Sequence, residues 1–219
     1  VFKIYQPDIV FHLAGQPGVL YSFKNPKSYK INNVFATKNI CQVAKEFNVK
    51  KFVFASSSSV YGDQKKFPIK ENFKLNPKNP YAITKLRSEK TVIKNFKKKK
   101  IEFIIFRFFT VFGPFGRPDM FVHKLLNAIK KKNKIKLYNN GLNFRDFTYV
   151  DDVVKILKKS IQKKLNGEII NICRSNPIIT NNLLKYVIKI YGNKKILIEK
   201  TGFVKGEMLK THGSNQKLR

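Results

Sequence analysis

Acidic residues are scarce in this sequence. Thirteen Asp and Glu stand against 45 Lys and Arg among 219 residues, a formal net charge of +32 at pH 7. A surplus of this kind raises the question of nucleic-acid binding. Composition argues against it. Only six of the basic residues are Arg, whereas base and phosphate readers lean on Arg forks. The Lys are spread along the whole chain and come with many Asn and Ile, all three having AT-rich codons. The bias therefore reads as compositional and the surface as solvated lysine. We expect no specific nucleic-acid partner, only a weak attraction for anions that suits a phosphorylated substrate.

Cysteine is nearly absent too. Cys41 and Cys173 lie far apart and form no CxxC pair, which predicts buried structural thiols and a reducing cytoplasm. No apolar run approaches the ~20 residues that span a bilayer, so no membrane role is expected. Val1 runs straight into Phe-Lys-Ile, without the apolar segment of a signal peptide. The three histidines, His12, His123 and His212, are not spaced with carboxylates or thiols as metal ligands would be, and no metal is expected. Also missing is any Gly-rich strand-to-helix turn of the G-x-G-x-x-G or G-x-x-G-x-x-G type.

What is present is a regular alternation. Hydrophobic content of 42% allows a sizeable core. Residues 7–14 form an apolar, β-branched and aromatic run typical of a parallel strand covered on both faces. A helix is predicted over 26–48, a strand over 51–56, a helix over 81–96 ending in Lys97–Lys100, and a strand over 101–109. This β-α-β-α-β order predicts an α/β fold with a doubly wound, Rossmann-type parallel sheet. Strand 8–14 needs a neighbour on each side and nothing before it can supply one, so the sheet is expected to be N-terminally truncated. Beyond a loop at 113–119 we expect a helix over 120–132, a strand over 134–138, a turn at Asn139-Asn140-Gly141 and an extended segment from Arg145 to Val150. A helix from Asp151-Asp152 to about 164 follows, the acidic pair reading as its cap. Then come a strand over 168–173, a helix over 181–191 capped by Thr180, and a strand from Lys195 to Glu199. Residues 1–112 are expected to form the main domain. Residues 113–219 are expected to form mainly a smaller α+β substrate-binding lobe, with 145–173 partly returning to the first domain.

The chemistry centres on Ser56-Ser57-Ser58-Ser59-Val60-Tyr61-Gly62, at the end of the strand over 51–56, and on Tyr81 and Lys85 downstream. Tyr81 and Lys85 share one helical face. An ammonium near a phenol favours the phenolate, which can take a proton from a hydroxyl while hydride leaves the same carbon. Ser57 could orient that hydroxyl. Alone, Y-x-x-x-K also describes an aromatic packed beside a surface lysine. The serine cluster on the preceding strand makes the catalytic reading the specific one.

These strings, with His12-Leu13-Ala14-Gly15, Asn33-Val34-x-Ala36-Thr37, Arg107-Phe108-Phe109-Thr110-Val111-Phe112-Gly113-Pro114 and Arg145-Asp146-Phe147-x-Tyr149-Val150-Asp151-Asp152, resemble the extended short-chain dehydrogenase/reductase family of nucleotide-sugar epimerases and dehydratases. Phe109 to Met120 is especially similar to the UDP-glucuronate 4-epimerases within it. The resemblance implies a tightly held NAD, with Ala14, Gly15, Asn33, Phe108, Tyr81 and Lys85 around it. It implies Tyr81 as base, Lys85 as its tuner and ribose anchor, and Ser57 on the C4 hydroxyl of the sugar. Ser58, Ser59, Thr110, Arg117, Tyr138 and Arg145 would hold a UDP-sugar, Arg145 at the diphosphate and Tyr138 near the uracil. It further implies a homodimer through the helices over 26–48 and 81–96, and a place in surface-polysaccharide precursor synthesis.

The departures bear on substrate. Dehydratases of the family carry an Asp-Glu pair where Ser58 and Ser59 stand here, so 4-epimerisation is preferred to elimination. Leu20 stands where the glucuronate epimerases usually have Arg, so glucose/galactose and their uronates stay open as substrates. A dehydratase or reductase of the same family, and an inactive fragment, are the competing readings. Residues 1–219 by themselves are expected not to hold NAD, because no Gly-rich turn within them seats a pyrophosphate. Tight NAD retention by this segment in equilibrium dialysis would contradict that expectation.

Overall fold

Four apolar runs build the central sheet of this computed structural model, which describes residues 1–98, 100–131, 133–192, 196–204 and 206–219. After a single helical turn, α1 (Phe2–Tyr5), the strands are β1 (Ile9–His12), β2 (Lys51–Ser57), β3 (Glu102–Phe108) and, much later in the chain, β8 (Glu168–Ile172). They pair in parallel in the order β1-β2-β3-β8. Alternate side chains fill two separate cores. Phe52, Phe54, Phe103 and Ile105 pack with Cys41, Ala44, Val92 and Phe96 on one face. Val53, Ile104, Phe106, Ile170 and Ile172 pack with Val153 on the other. Burial on both faces explains why these strands read as continuous rather than alternating apolar runs. Cys41 and Cys173 are free and buried, as expected.

The helices against the first face are α3 (Pro26–Tyr29), a π-helical stretch Lys30–Phe35, α4 (Ala36–Glu46) and α5 (Pro80–Phe96). The single helix expected over 26–48 is therefore interrupted. The wider π turn carries Asn33 on its buried side, 2% exposed, where a local change of pitch serves a site rather than packing alone. A short helix, α2 (Val19–Lys24), was not expected. It follows directly on Gly15-Gln16-Pro17-Gly18 and is too short for a helical period to show.

In the second half lie β4 (Thr110–Phe112), α6 (Phe121–Lys131), β5 (Ile135–Leu137), β6 (Phe144–Arg145), β7 (Phe147–Tyr149) and α7 (Val150–Gln162). After β8 come β9 (Ile178–Ile179), α8 (Thr180–Ile190) and β10 (Ile198–Lys200). Short two-stranded pairings, β4 with β7, β6 with β9 and β5 with β10, replace a second sheet. Two expected caps are corrected. Asp151 and Asp152 lie inside the first turn of α7 and cap nothing; they suit the helix dipole, and Asp152 also faces Lys155 at 3.9 Å. Thr180 is the first residue of α8, and its hydroxyl donates to the Asn143 carbonyl at 2.9 Å. The expected helix end at residue 132, the strand start at Lys195 and part of the Lys97–Lys100 tail fall outside the described residues.

Two buried cations brace the sheet. Lys51 in β2 donates to the carbonyls of Ser160, Ile161 and Lys163 at 2.8–3.0 Å, satisfying the end of α7. Arg107 in β3, 2% exposed, forks onto Glu89 of α5 at 3.0 and 2.8 Å. Its third nitrogen reaches the Tyr61 hydroxyl at 3.0 Å and the Glu71 carbonyl at 3.1 Å. Tyr61 in turn donates to Asn171 of β8, and Ser56 of β2 donates to Glu89. Breaking such a pair strands one charge in the core. Glu89→Ala is expected to lose about 3–5 kcal/mol of stability, read by urea unfolding; a loss below about 1 kcal/mol would show that Arg107 finds other partners.

Candidate active site

The site forms where β2 and β3 end and α5 begins. At the tip of β2 the chain turns into a 3₁₀ turn, Ser58–Tyr61, capped by Ser57. Ser57 Oγ accepts from the Ser59 amide at 3.2 Å and from the Ser59 hydroxyl at 2.9 Å. Both its lone pairs are thereby engaged and its own proton is left to donate. Its proximity lowers the pKa of the Tyr81 phenol, against a larger rise from burial. Tyr81 sits in the first turn of α5, one residue after Pro80, a position set by the Asn79 cap. Its ring meets the Tyr29 ring edge-on at 6.1 Å. The Tyr29 hydroxyl is lodged against the carbonyls of Pro17 and Gly18, both at 2.7 Å.

One expectation fails here. Lys85 does not pull the phenol below its ordinary pKa. Burial pushes Tyr81 up, and the groups that work against burial are Ser57 and the positive charge of Arg117. Lys85 is 6% exposed, with its ammonium 4.6 Å over the Phe54 ring, and burial lowers its own pKa to about 8 against a weaker pull from Glu89. Just behind it, burial and the Lys85 charge push His12 down to about 4, and its Nε2 meets Thr37 Oγ1 at 2.9 Å.

A cleft of about 1040 Å³ opens in front of Tyr81. Ser57, Ser58, Ser59, Tyr81, Phe108, Thr110, Arg117, Tyr138 and Arg145, nine of the residues singled out from sequence, all line it. It runs into a second compartment of about 560 Å³, walled by α6, β4 and β5, with Tyr138 and Arg145 shared between the two. Ala14, Gly15, Asn33 and Lys85 lie beside the cleft rather than on its wall. Ala14 and Gly15 form an exposed ledge past the end of β1. A Cβ on Gly15 would lie 2.9 Å from Asn33 Oδ1 and 3.8 Å from Lys85 Nζ. The Asn33 amide is already committed: it accepts from the Gln16 amide at 2.7 Å and donates to the Gln16 carbonyl and Thr84 Oγ1. Asn33 thereby holds residues 15–16 in place.

Sequence reasoning missed the carboxylate partners in the cleft. Arg117 is paired with Asp119, whose pKa that pairing lowers. Arg145 is paired with Glu207 at 3.1 Å; burial lowers the Arg145 pKa and Glu207 opposes it. No local pattern could have revealed the pairing of Arg145 with Glu207, 62 residues away along the chain. Tyr29 was also passed over, and Asn79 serves here as more than the capping residue before a proline that marks a helix start.

A serine at a strand's carboxyl end facing a Tyr/Lys pair, on a doubly wound parallel sheet, defines the dehydrogenase/reductase class of Rossmann-type proteins. Residues 1–173 match the model of the NAD dependent epimerase/dehydratase family, and the chain belongs to that family. It is similar to a UDP-glucuronate 4-epimerase of Thermodesulfobacterium geofontis, 37% identical over 196 residues, covering 89% of this chain and 60% of that protein. It superposes on MoeE5, solved with UDP-glucose and NAD, at a TM-score of 0.92 and 29% identity, covering 96% of this chain and 71% of that one. It superposes equally on the UDP-glucuronic acid 4-epimerase of Bacillus cereus, solved with UDP-glucuronic acid and NAD, at a TM-score of 0.91 and 32% identity, covering 96% and 67%. The chain spans 64% and 60% of the length of two curated relatives that it matches.

A buried ammonium costs stability wherever its charged form persists. Folding lowers the Lys85 pKa from 10.5 to about 8, so below pH 8 the full cost is present. It fades as pH rises from 8 to 10.5, where the folded chain has shed the proton that the unfolded chain still holds. Lys85→Met is expected to stabilise the protein at pH 7 by up to about 3 kcal/mol, at 1.36 kcal/mol per pKa unit. The gain should shrink towards pH 10.5 in urea titrations, whereas a gain independent of pH would point to packing instead.

Proposed function

We propose that the protein carrying this chain is an NAD-dependent UDP-sugar 4-epimerase. The observation that carries the reading is one continuous cleft lined by Ser57, Tyr81, Arg117, Tyr138 and Arg145, the last three of which also line the adjoining compartment. The extent of the cleft suits a sugar at the serines and a nucleotide diphosphate beyond it. The MoeE5 and Bacillus cereus complexes, each with NAD and a UDP-sugar, support the same ligands here.

The residues present fit the cofactor. The exposed ledge at Ala14 and Gly15 leaves backbone open for close approach. Behind it Lys85 offers a buried ammonium with no hydrogen bond among the described residues, the donor a ribose hydroxyl needs. Phe108 supplies an apolar wall. When bound, NAD supplies a reversible acceptor for the hydride at C4 of the sugar. Ser57 donates to the C4 oxygen and fixes its direction. Tyr81 takes the proton from that hydroxyl and later returns it to the same oxygen, so no net proton is consumed. Arg117 favours the phenolate, since its charge already acts on Tyr81. Elimination of water needs its own acid and base near the sugar. Ser58 and Ser59 offer neither, and the two carboxylates lining the cleft, Asp119 and Glu207, are both tied to arginines.

The domain reading joins this proposal: residues 1–112 hold the cofactor and the catalytic groups, and 113–219 mainly the nucleotide sugar, with 145–173 returning in part. We assign the sugar to the glucose/galactose or glucuronate/galacturonate pairs and the product to surface-polysaccharide precursors. A homodimer through α3, the π-helical stretch and α5 is supported by the exposed Ile31, Phe35 and Ile83. A cytoplasmic setting is supported by the free thiols.

Tyr81→Phe should lower interconversion of the C4 epimers by at least the ~10²–10⁴-fold of one acid–base group, with bound NAD retained in the spectrum. Undiminished turnover, or release of a 4-keto-6-deoxy sugar by the wild type, would reject the assignment.

A further inference from the structure

Asn79 stands at the junction of the catalytic helix and the nucleotide end of the cleft. It is 4% exposed and lines the cleft. Its Oδ1 accepts from the Ala82 amide at 2.8 Å, capping α5 two residues before Tyr81. Its Nδ2 donates to the Gly206 carbonyl at 3.1 Å. The two partners fix the orientation of the amide: an N–H faces the oxygen and a C=O faces the nitrogen. The contact with Gly206 is close for a second reason. Gly206 has φ +84°, and a Cβ there would fall 2.6 Å from the Phe23 ring of α2 and 3.5 Å from Asn79 Cβ. Only glycine lets this backbone sit against the start of α5. The next residue, Glu207, holds Arg145.

We propose that Asn79 is a positioning residue which ties the Gly206–Glu207 segment, and through it Arg145, to the helix that carries Tyr81. This deepens the functional reading above and rests on it. One amide thereby sets two distances at once, that of the phenol from the serines and that of the diphosphate seat from the phenol. A Ser or Asp at position 79 would cap the helix equally well. Only an amide also offers a donor to the Gly206 carbonyl while keeping the cap.

The test is Asn79→Asp in the protein carrying this chain, with Asn79→Ala beside it. A carboxylate still accepts the Ala82 N–H but cannot donate to Gly206. For Asn79→Asp the cap is kept, so the amides of 82–96 should stay protected. Hydrogen exchange across 206–211 should quicken, and the affinity for UDP, measured by calorimetry, should fall about three- to tenfold, the worth of one neutral hydrogen bond. Asn79→Ala should add a lowered midpoint. Wild-type exchange and wild-type UDP affinity in Asn79→Asp would overturn the proposal, as would faster exchange with unchanged UDP affinity. UDP binding is read without turnover. A wild type that binds UDP but interconverts no UDP-sugar would defeat the functional reading while leaving this comparison decisive.

Discussion

The buried pair of Arg107 and Glu89 is the constraint on which the site depends. Both side chains are 2% exposed, and neither charge could remain in the core without the other. The fork joins β3 to α5, and its further bonds reach the tip of β2 at Ser56, the 3₁₀ turn at Tyr61 and β8 at Asn171. Ser57 follows Ser56 directly, and Tyr81 and Lys85 lie on the helix that carries Glu89. The ion pair thus sets the helix at a fixed height above the strand ends, which is what a proton transfer over hydrogen-bond distance requires. It also explains why an arginine occupies the penultimate position of a strand whose interior is otherwise Phe and Ile.

Around that frame, the site keeps charges where folding alone would not place them. Lys85 is held over an aromatic ring with its pKa drawn down to about 8. Burial likewise lifts the Tyr81 phenol. Both shifts oppose the charged forms of these groups. Groups strained in this direction cluster at functional sites. Arg117 and Arg145 show the opposite arrangement, each neutralised by a carboxylate within reach, in a chain whose overall charge is strongly positive. The local pairing, not the net charge, decides what these two arginines can hold.

The central strands, both long helices and the serine–tyrosine–lysine constellation were legible in the sequence. Continuous apolar runs report burial on two faces, and a capping residue before proline reports a helix start. Both signals are local. Helix α2 was not legible, being shorter than two helical turns, nor was the π-helical stretch that turns Asn33 inward. The Tyr81 pKa was read in the wrong direction because spacing along a helix says which side chains are neighbours but not how deeply they are buried.

By itself, then, the amino-acid order determined the parallel α/β architecture and the identity of the groups gathered at the cleft, since periodicity and residue chemistry travel with the chain. Tertiary structure alone decided the partners of charge: Glu89 for Arg107, Glu207 for Arg145, and three helix-end carbonyls for Lys51. The physical reason is that a charge in a low-dielectric interior answers to whatever lies within a few ångströms, and the fold, not sequence distance, chooses those neighbours.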